Sequence, residues 1–432
     1  MKDDIKMPKV LVIGINAWRT EGTTHTLMDI FSNWDADKLA LIYTRSDFPN
    51  TSVCNHFFQI SEAQVLKSVF KPWMKVGRVV SNQLVDKYDK DVCTEHRRYS
   101  LAHKKKSSLL PLLREVVWKL GKWKSTSLKK FVLDFNPDII FIPIYPTVYM
   151  GRIQQYIAKL TGKPTVCYLA DDNYSYDACQ SVCDYIHRFW LRKKVAPLAK
   201  NCKEMFVIVD KEKEETDKLF GTNSTILTKS IDFSNLKYKY KKPNTPLKFV
   251  YTGSLIIGRD KTIALLANSI NDLNKNGIKA ELYIYSQTTP TDTILKQINS
   301  GSSHFCGKVD RKKTLEIIRE ADVVVFAEAL EGKSANVARL SFSTKITDYL
   351  SCGKCILAIG NDYIAPIDYL QRNDAAIIAH NSQEIREKTC DIINNPSLLD
   401  TYGQKAFSCA VKNHDKQLVS QRFISTMLKA ID

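Results

Sequence analysis

No stretch of this sequence stays apolar for the roughly 18 to 20 residues that crossing a bilayer requires. The best candidate, Ile139–Gly151, has 13 residues and contains Pro143 and Pro146. Met1–Lys9 is charged and runs straight into a strand pattern, so no secretory leader is expected and the protein is placed in the cytoplasm. Glycine (16) and proline (14) are sparse and no low-complexity tract occurs, which excludes collagen-like and disordered classes. Disulfide-framework spacing is missing too. The 11 cysteines are odd in number and scattered, as reduced thiols are. Cys179 and Cys183 lie one helical turn apart, yet no second His or Cys pair completes a zinc set, so plain thiols are the favoured reading.

Acidic residues are the other shortage. The net charge is +17, and residues 66–130 hold 17 basic against 5 acidic side chains. Charge that local faces something anionic. Within it, "VLKSVFKPWMKVGRVV" and "LLPLLREVVWKLGKWKSTSLKKFVLDF" interleave aromatic and aliphatic residues with lysine at helical spacing. Such helices suit an anionic membrane surface, apolar face down. The alternative is an ordinary amphipathic helix packed on its own domain. Nucleic acid is not expected, because no recognition motif accompanies the charge.

At 432 residues the chain is too long for one ordinary core. "KVLVIGINAW", "KLALIYT", "DIIFIPIY", "PTVCYLA" and "EMFVIVD" are strands separated by helical patterns. After a Lys/Pro-rich segment at about 235–246, read as a linker, the alternation restarts with "LKFVYTGS", "AELYIYS", "HFCGK", "DVVVFAE", "KCILAIG" and "AAIIA". Alternation of this kind implies parallel sheets covered on both faces. The expected fold is α/β, with two Rossmann-like domains facing across a cleft. Residues 1–240 are expected to form the N-terminal domain and 247–405 the C-terminal one. Residues 406–432 form a last helix able to pack back on the first domain.

Two turns in the second half carry chemistry. In "FVYTGSLIIGRDKTIALL" a strand ends at Gly253, and a loop with Gly258, Arg259 and Lys261 opens a helix. Helix-start amides and a guanidinium favour phosphate oxygens, although a solvent-facing Arg is the plainer alternative. In "RLSFSTKITDYLSCGK", Ser343 or Thr344 can cap a helix whose first turn holds Lys345. A lysine there opposes the partial positive charge of the helix start, so an anion belongs beside it. Asp348, one turn on, can accept hydrogen bonds from vicinal sugar hydroxyls. Phosphate at the amides and ribose at the carboxylate describe a nucleoside diphosphate.

The segment "SFSTKITDYLSCGKCILAIG" resembles the donor-binding stretch of GT-B glycosyltransferases, in particular the family 4-like retaining enzymes of bacterial surface polysaccharide synthesis. The resemblance implies that Asp348 stands at the second Glu of an E-x7-E pair and binds ribose. Arg259, Ser343, Thr344 and Lys345 would hold the donor diphosphate. "GTTHTLMDIF" matches the glycine loop after the first strand, which adds Gly22 to that set. Leu340 takes the position of the first Glu, so Glu328 or Glu331 would serve the donor sugar. Ser254 replaces a diphosphate-binding Arg. "ILTKSID" sits where relatives have the approach loop of the second domain. Asp171 and Asp172, in "GKPTVCYLADD", end a strand where relatives place a catalytic His-Asp; either could lie at the acceptor or reacting sugar. A structural capping role is the alternative, and a GT-A-like metal site is disfavoured. His25, a turn after Gly22, is either a cleft residue or part of a helix start.

The resemblance implies transfer of a sugar from a nucleotide-sugar donor to a glycan or polyprenyl-linked acceptor, with retention, and with no metal or other cofactor. Residues 66–130 would then rest on the inner face of the plasma membrane. Two rivals share the fold: a nucleotide-sugar epimerase or hydrolase, and a non-catalytic partner subunit, to which Leu340 lends weight. Cys352-Gly-Lys-Cys355 has redox spacing, but it reads as a helix end followed by a strand start.

Overall fold

The structure is a computed structural model that describes residues 7–20, 26–82 and 109–431. Gly22, His25 and residues 83–108 of the basic stretch lie outside the described residues. Two compact units are present. The first comprises residues 1–207, 213–227 and 420–432, the second 208–212 and 228–419.

In the first unit the strands are β1 (Val10–Ile13), β2 (Leu39–Tyr43), β3 (His56–Gln59) and β4 (Arg78–Val80). They continue with β5 (Ile139–Pro143), β6 (Thr165–Leu169), β7 (Glu204–Val207) and β8 (Thr225–Ile226). Every residue of β1, β2 and β5 is buried. A parallel strand covered on both faces must be apolar throughout, which is why these runs do not alternate. The order is β4-β3-β2-β1-β5-β6-β7-β8. All neighbours are parallel except β3 and β4.

The second unit holds β9 (Leu247–Thr252), β10 (Ala280–Tyr285), β11 (Ser303–Gly307), β12 (Val323–Ala327), β13 (Cys355–Ile359) and β14 (Ile377–Ala379). They pair in parallel in the order β11-β10-β9-β12-β13-β14. In both sheets the first strand lies inside, with the strands that follow it directly on one side, three in the first sheet and two in the second, and the later strands on the other. The chain therefore reverses direction between β1 and β5, and again between β9 and β12. Loops diverge at such a switch point and leave a crevice at the carboxyl ends of the strands.

The units are cut differently from the expected 1–240 and 247–405. The Lys/Pro-rich segment is not a free linker, because it is fastened to the second unit. Tyr238 donates its hydroxyl to Asp400 Oδ1 at 2.5 Å, and Asn244 bonds Asp322 through both its backbone N–H and its side chain. Residues 406–432 do not form one helix. A helix Ser397–His414 belongs to the second unit, and the next, Lys416–Lys429, crosses into the first. There Phe423 lies 5.0 Å from the Phe31 ring, 5.5 Å from Phe206 and 5.7 Å from Trp34.

The basic stretch also folds less simply than its spacing predicts. A helix covers Glu62–Phe70 and stops before Pro72, since proline cannot supply the N–H that the next turn needs. Gly77 then turns at φ 87° against the Phe58 ring, and the chain returns as β4. Further on, helices Leu109–Leu120 and Thr126–Phe135 are separate, and they send Trp118, Leu128 and Val132 into the core. Among the described residues no helix is long and apolar enough to cross a membrane.

Candidate functional site

The second unit gathers its charged side chains at the β9/β12 switch point. After β9 the chain turns through Gly253, where a Cβ would come within 2.4 Å of the Tyr251 ring. Tyr251 reaches past it to donate its hydroxyl to Ser254 O at 2.8 Å. Ile257 (φ 59°) and Gly258 (φ 80°) are both left-handed before the helix Arg259–Leu273 begins. A β-branched residue in that region costs on the order of 1–3 kcal/mol, the kind of strain that concentrates at working sites. The result is to bring Arg259 back over the end of β12.

There it meets Glu328, the residue after β12, which is only 2% exposed. Arg259 Nε and Nη2 each donate to one carboxylate oxygen of Glu328 at 2.8 Å. Burial raises the Glu328 carboxyl pKa, against the pull of Arg259 and then Lys345. The pair is a fixed strut across the switch point, and the Nη1 edge of the guanidinium is left for another acceptor. Glu328 is thus committed to Arg259, while Glu331 stands exposed in the following loop.

The third contributor is the helix Thr344–Ser351, which leads into β13. Tyr349 is fully buried and shares a 2.8 Å hydrogen bond with Thr252 Oγ1, tying this helix to the end of β9. Ser343 occupies the N-cap position, yet its side chain makes no capping bond, so the first-turn amides have no side-chain partner there. Lys345 is half-buried beside them. It makes no hydrogen bond or ion pair among the described residues. Burial pushes its amine down to about 8, Arg259 repels it further, and Glu328 and Asp348 only partly oppose this.

Asp348 is not free. Lys229, whose side chain is 9% exposed, donates to Asp348 Oδ1 at 2.5 Å and reaches Thr344 O at 3.5 Å. Lys229 is the residue that sequence reasoning missed. It lies 119 positions upstream in "ILTKSID", a segment noted only as an approach loop, and nothing local ties a lone lysine there to Asp348. His414, buried and lowered to about 4, donates from Nδ1 to Lys229 O at 3.0 Å and so braces that backbone.

Arg259, Lys345, the amides at Ser343 and Thr344, Asp348 and Glu328 therefore gather around the carboxyl ends of β9 and β12. Gly22 and His25 fall outside the described residues. Asp171 and Asp172 belong to the first unit, after β6, and they differ from one another. Asp171 is exposed. The Asp172 side chain is 4% exposed and accepts from the Tyr174 and Ser175 N–H groups, at 3.2 and 2.8 Å, and from the Ser175 hydroxyl. Its carboxylate organises its own loop. Among the described residues no group of three His, Cys, Asp or Glu is placed to hold a metal ion.

The CxxC segment is a helix end. Gly353 turns at φ 60°, Cys355 opens β13, and both cysteines are unbridged, with burial pushing Cys355 up to about 12.

Comparison with known proteins bears on the family and the fold. The family described as Glycosyl transferases group 1 matches residues 246–395. HepE of Anabaena, crystallised with UDP, has 12% identity and a TM-score of 0.60, over 97% of this chain and 99% of its own. Sucrose-phosphate synthase of Thermosynechococcus elongatus has 8% identity and a TM-score of 0.60, over 95% and 96%. The α,α-trehalose 6-phosphate synthase of Burkholderia multivorans has 9% identity and a TM-score of 0.56, over 97% and 96%. No curated protein matches the sequence. The chain has the GT-B fold, and its second unit carries a domain of the glycosyl transferases group 1 family.

Proposed function

We propose that this protein is a glycosyltransferase that takes its sugar from a nucleoside-diphosphate sugar bound in the second unit. The observation that carries the reading is Lys345, a half-buried amine with no hydrogen bond or ion pair among the described residues, beside a helix start whose N-cap serine makes no side-chain capping bond. A diphosphate there would bond the amides of the first turn, Lys345, and the open edge of Arg259. Its negative charge grows as the sugar departs, and donors already fixed in place stabilise that charge without reorganisation. Asp348, with one oxygen held by Lys229, offers the other to the ribose hydroxyls. The HepE complexes with UDP and UDP-glucose support the choice of ligand class.

The finer reading is retention at the anomeric carbon and a hexosyl donor. Its acceptor is a glycan or polyprenyl-linked glycan of surface polysaccharide synthesis, met at the inner face of the plasma membrane, with Asp171 near the acceptor. Its support is the resemblance of "SFSTKITDYLSCGK" and the basic surface of the first unit. A second reading, a non-catalytic subunit of the same fold, rests on Leu340, a buried apolar residue at the position of the first Glu.

The test is thermal stability against UDP, GDP, ADP and their sugars, followed by mass spectrometry of product with candidate acceptors. One nucleotide series is expected to raise Tm by several degrees, and Lys345→Met to abolish the shift. If no nucleotide moves Tm, the donor site is refuted. Binding without turnover on any acceptor would favour the subunit reading, and free sugar or epimer without acceptor would favour hydrolysis or epimerisation.

A further inference from the structure

The helix Val182–Asn201 of the first unit is apolar on two opposite sides. Leu191, Val195 and Leu198 point into the core. Val182, Tyr185, Ile186, Phe189 and Trp190 recur at intervals of three and four residues and face outward, Val182 being 76% exposed. A stripe of this kind on a surface helix marks an interaction face.

It does not stand alone. His187 Nε2 lies 3.6 Å from Glu115 Oε1 of the neighbouring helix Leu109–Leu120. That helix also turns apolar residues outward, among them Leu113, Val116 and Leu120. Arg114 Nε in turn donates to Glu62 at 2.8 Å, joining the helix Glu62–Phe70. Phe70 at the end of that helix and Trp73 beyond it are 77% and 79% exposed. Lys71, Lys75, Lys119 and Lys122 are exposed on the same segments. Exposed aromatic and aliphatic residues ringed by lysine match a bilayer with anionic headgroups, because the rings and branched chains enter the acyl boundary while the ammonium groups meet phosphate.

The stripe is also wired to the loop that follows β6. Arg188 Nη1 donates to Asp172 O at 2.8 Å. Arg192 lies 4.2 Å over the Tyr174 ring, and Tyr176 stacks on Tyr185 at 5.7 Å. Whatever seats the helix therefore also fixes the loop at the carboxyl end of the first sheet.

We propose that the outward face of the helices Leu109–Leu120 and Val182–Asn201 docks on an anionic bilayer, and that this docking sets the Asp171–Asp172 loop at headgroup level to receive a lipid-borne acceptor. The acceptor half of this inference rests on the glycosyltransferase reading; the docking half does not.

The test is flotation of the full chain with vesicles of phosphatidylcholine, alone and with about one third phosphatidylglycerol. Capture by the anionic vesicles is expected, weakened by 0.5 M salt through screening. Ile186→Glu/Phe189→Glu should reduce it at least tenfold, as should the milder Ile186→Ala/Phe189→Ala in part, with the nucleotide-induced Tm shift kept. No capture of the parent chain, or equal capture of the variants, would overturn docking. So would a dimer in solution that these substitutions dissociate, since a second copy would then be the occupant. Capture without any nucleotide-induced shift would leave docking standing and remove the acceptor half with the donor reading.

Discussion

Lys345 ties binding to stability in opposite senses. Its amine titrates near 8 in the fold against 10.5 for an unburied lysine. Between those values the unfolded chain binds more protons, so stability rises as pH climbs through that window. At neutral pH the burial cost is present in full. Lys345→Met should therefore stabilise the ligand-free protein by roughly 1–3 kcal/mol, read by chemical denaturation at pH 7, while nucleotide no longer shifts Tm. In the parent chain, affinity for UDP should fall about tenfold from pH 7.5 to 9 as the free amine loses its proton. A parent chain and a Lys345→Met variant with the same pH profile would place the titrating group elsewhere. Arg259 behaves differently. Arg259→Ala would strand the buried Glu328 carboxylate at a cost of about 3–5 kcal/mol, confusing folding with binding. Arg259→Met/Glu328→Gln removes both charges and tests the site cleanly; it should weaken nucleotide binding with little loss of Tm.

The helix Thr344–Ser351 shows the same opposition one level up. Its N-cap serine makes no capping bond, although serine there ordinarily contributes about 1 kcal/mol. Ser343→Asp places a fixed carboxylate against the helix start, so the free protein should gain on the order of 0.5–1 kcal/mol. The same carboxylate repels a diphosphate, and calorimetric titration should show UDP affinity reduced by tenfold or more. Tighter or unchanged binding would place the diphosphate away from this helix. Much of the element was legible beforehand. The strands announced themselves as unbroken apolar runs, and Lys345 was conspicuous because it violated the helix-start preference. The Lys229–Asp348 bond was not legible, because 119 residues separate the two and only the folded sheet closes that distance. Nor was the commitment of Glu328 to Arg259, since a strand-end carboxylate reads alike whether it faces ligand or guanidinium. Nor could Asp171 and Asp172 be told apart, since both end a strand; only the fold shows the second accepting from Ser175 and two loop amides, as the capping alternative required.

At the scale of the chain, the last residues are the least intuitive. Residues 228–419 complete the second unit, after which the helix Lys416–Lys429 carries 420–432 into the first. Period and composition could not assign that helix, because its apolar positions would suit either core. Phe423 decides it, buried among Phe31, Trp34, Phe141 and Phe206. Phe423 meets Phe31, Trp34 and Phe141 edge-on and Phe206 at a tilt; such ring pairs contribute beyond their buried area, and truncating such a ring costs about 3–5 kcal/mol. Phe423→Ala should thus act on the first unit, although it lies nine residues from the chain end. Hydrogen exchange is expected to quicken in β1, β5 and β7, with β9, β12 and β13 keeping their protection. The nucleotide-induced protection of the helix Thr344–Ser351 should persist, because Arg259, Glu328, Lys345 and Asp348 all belong to the second unit. Equal loss of protection in both sheets would mean that the two cores do not hold their stability separately.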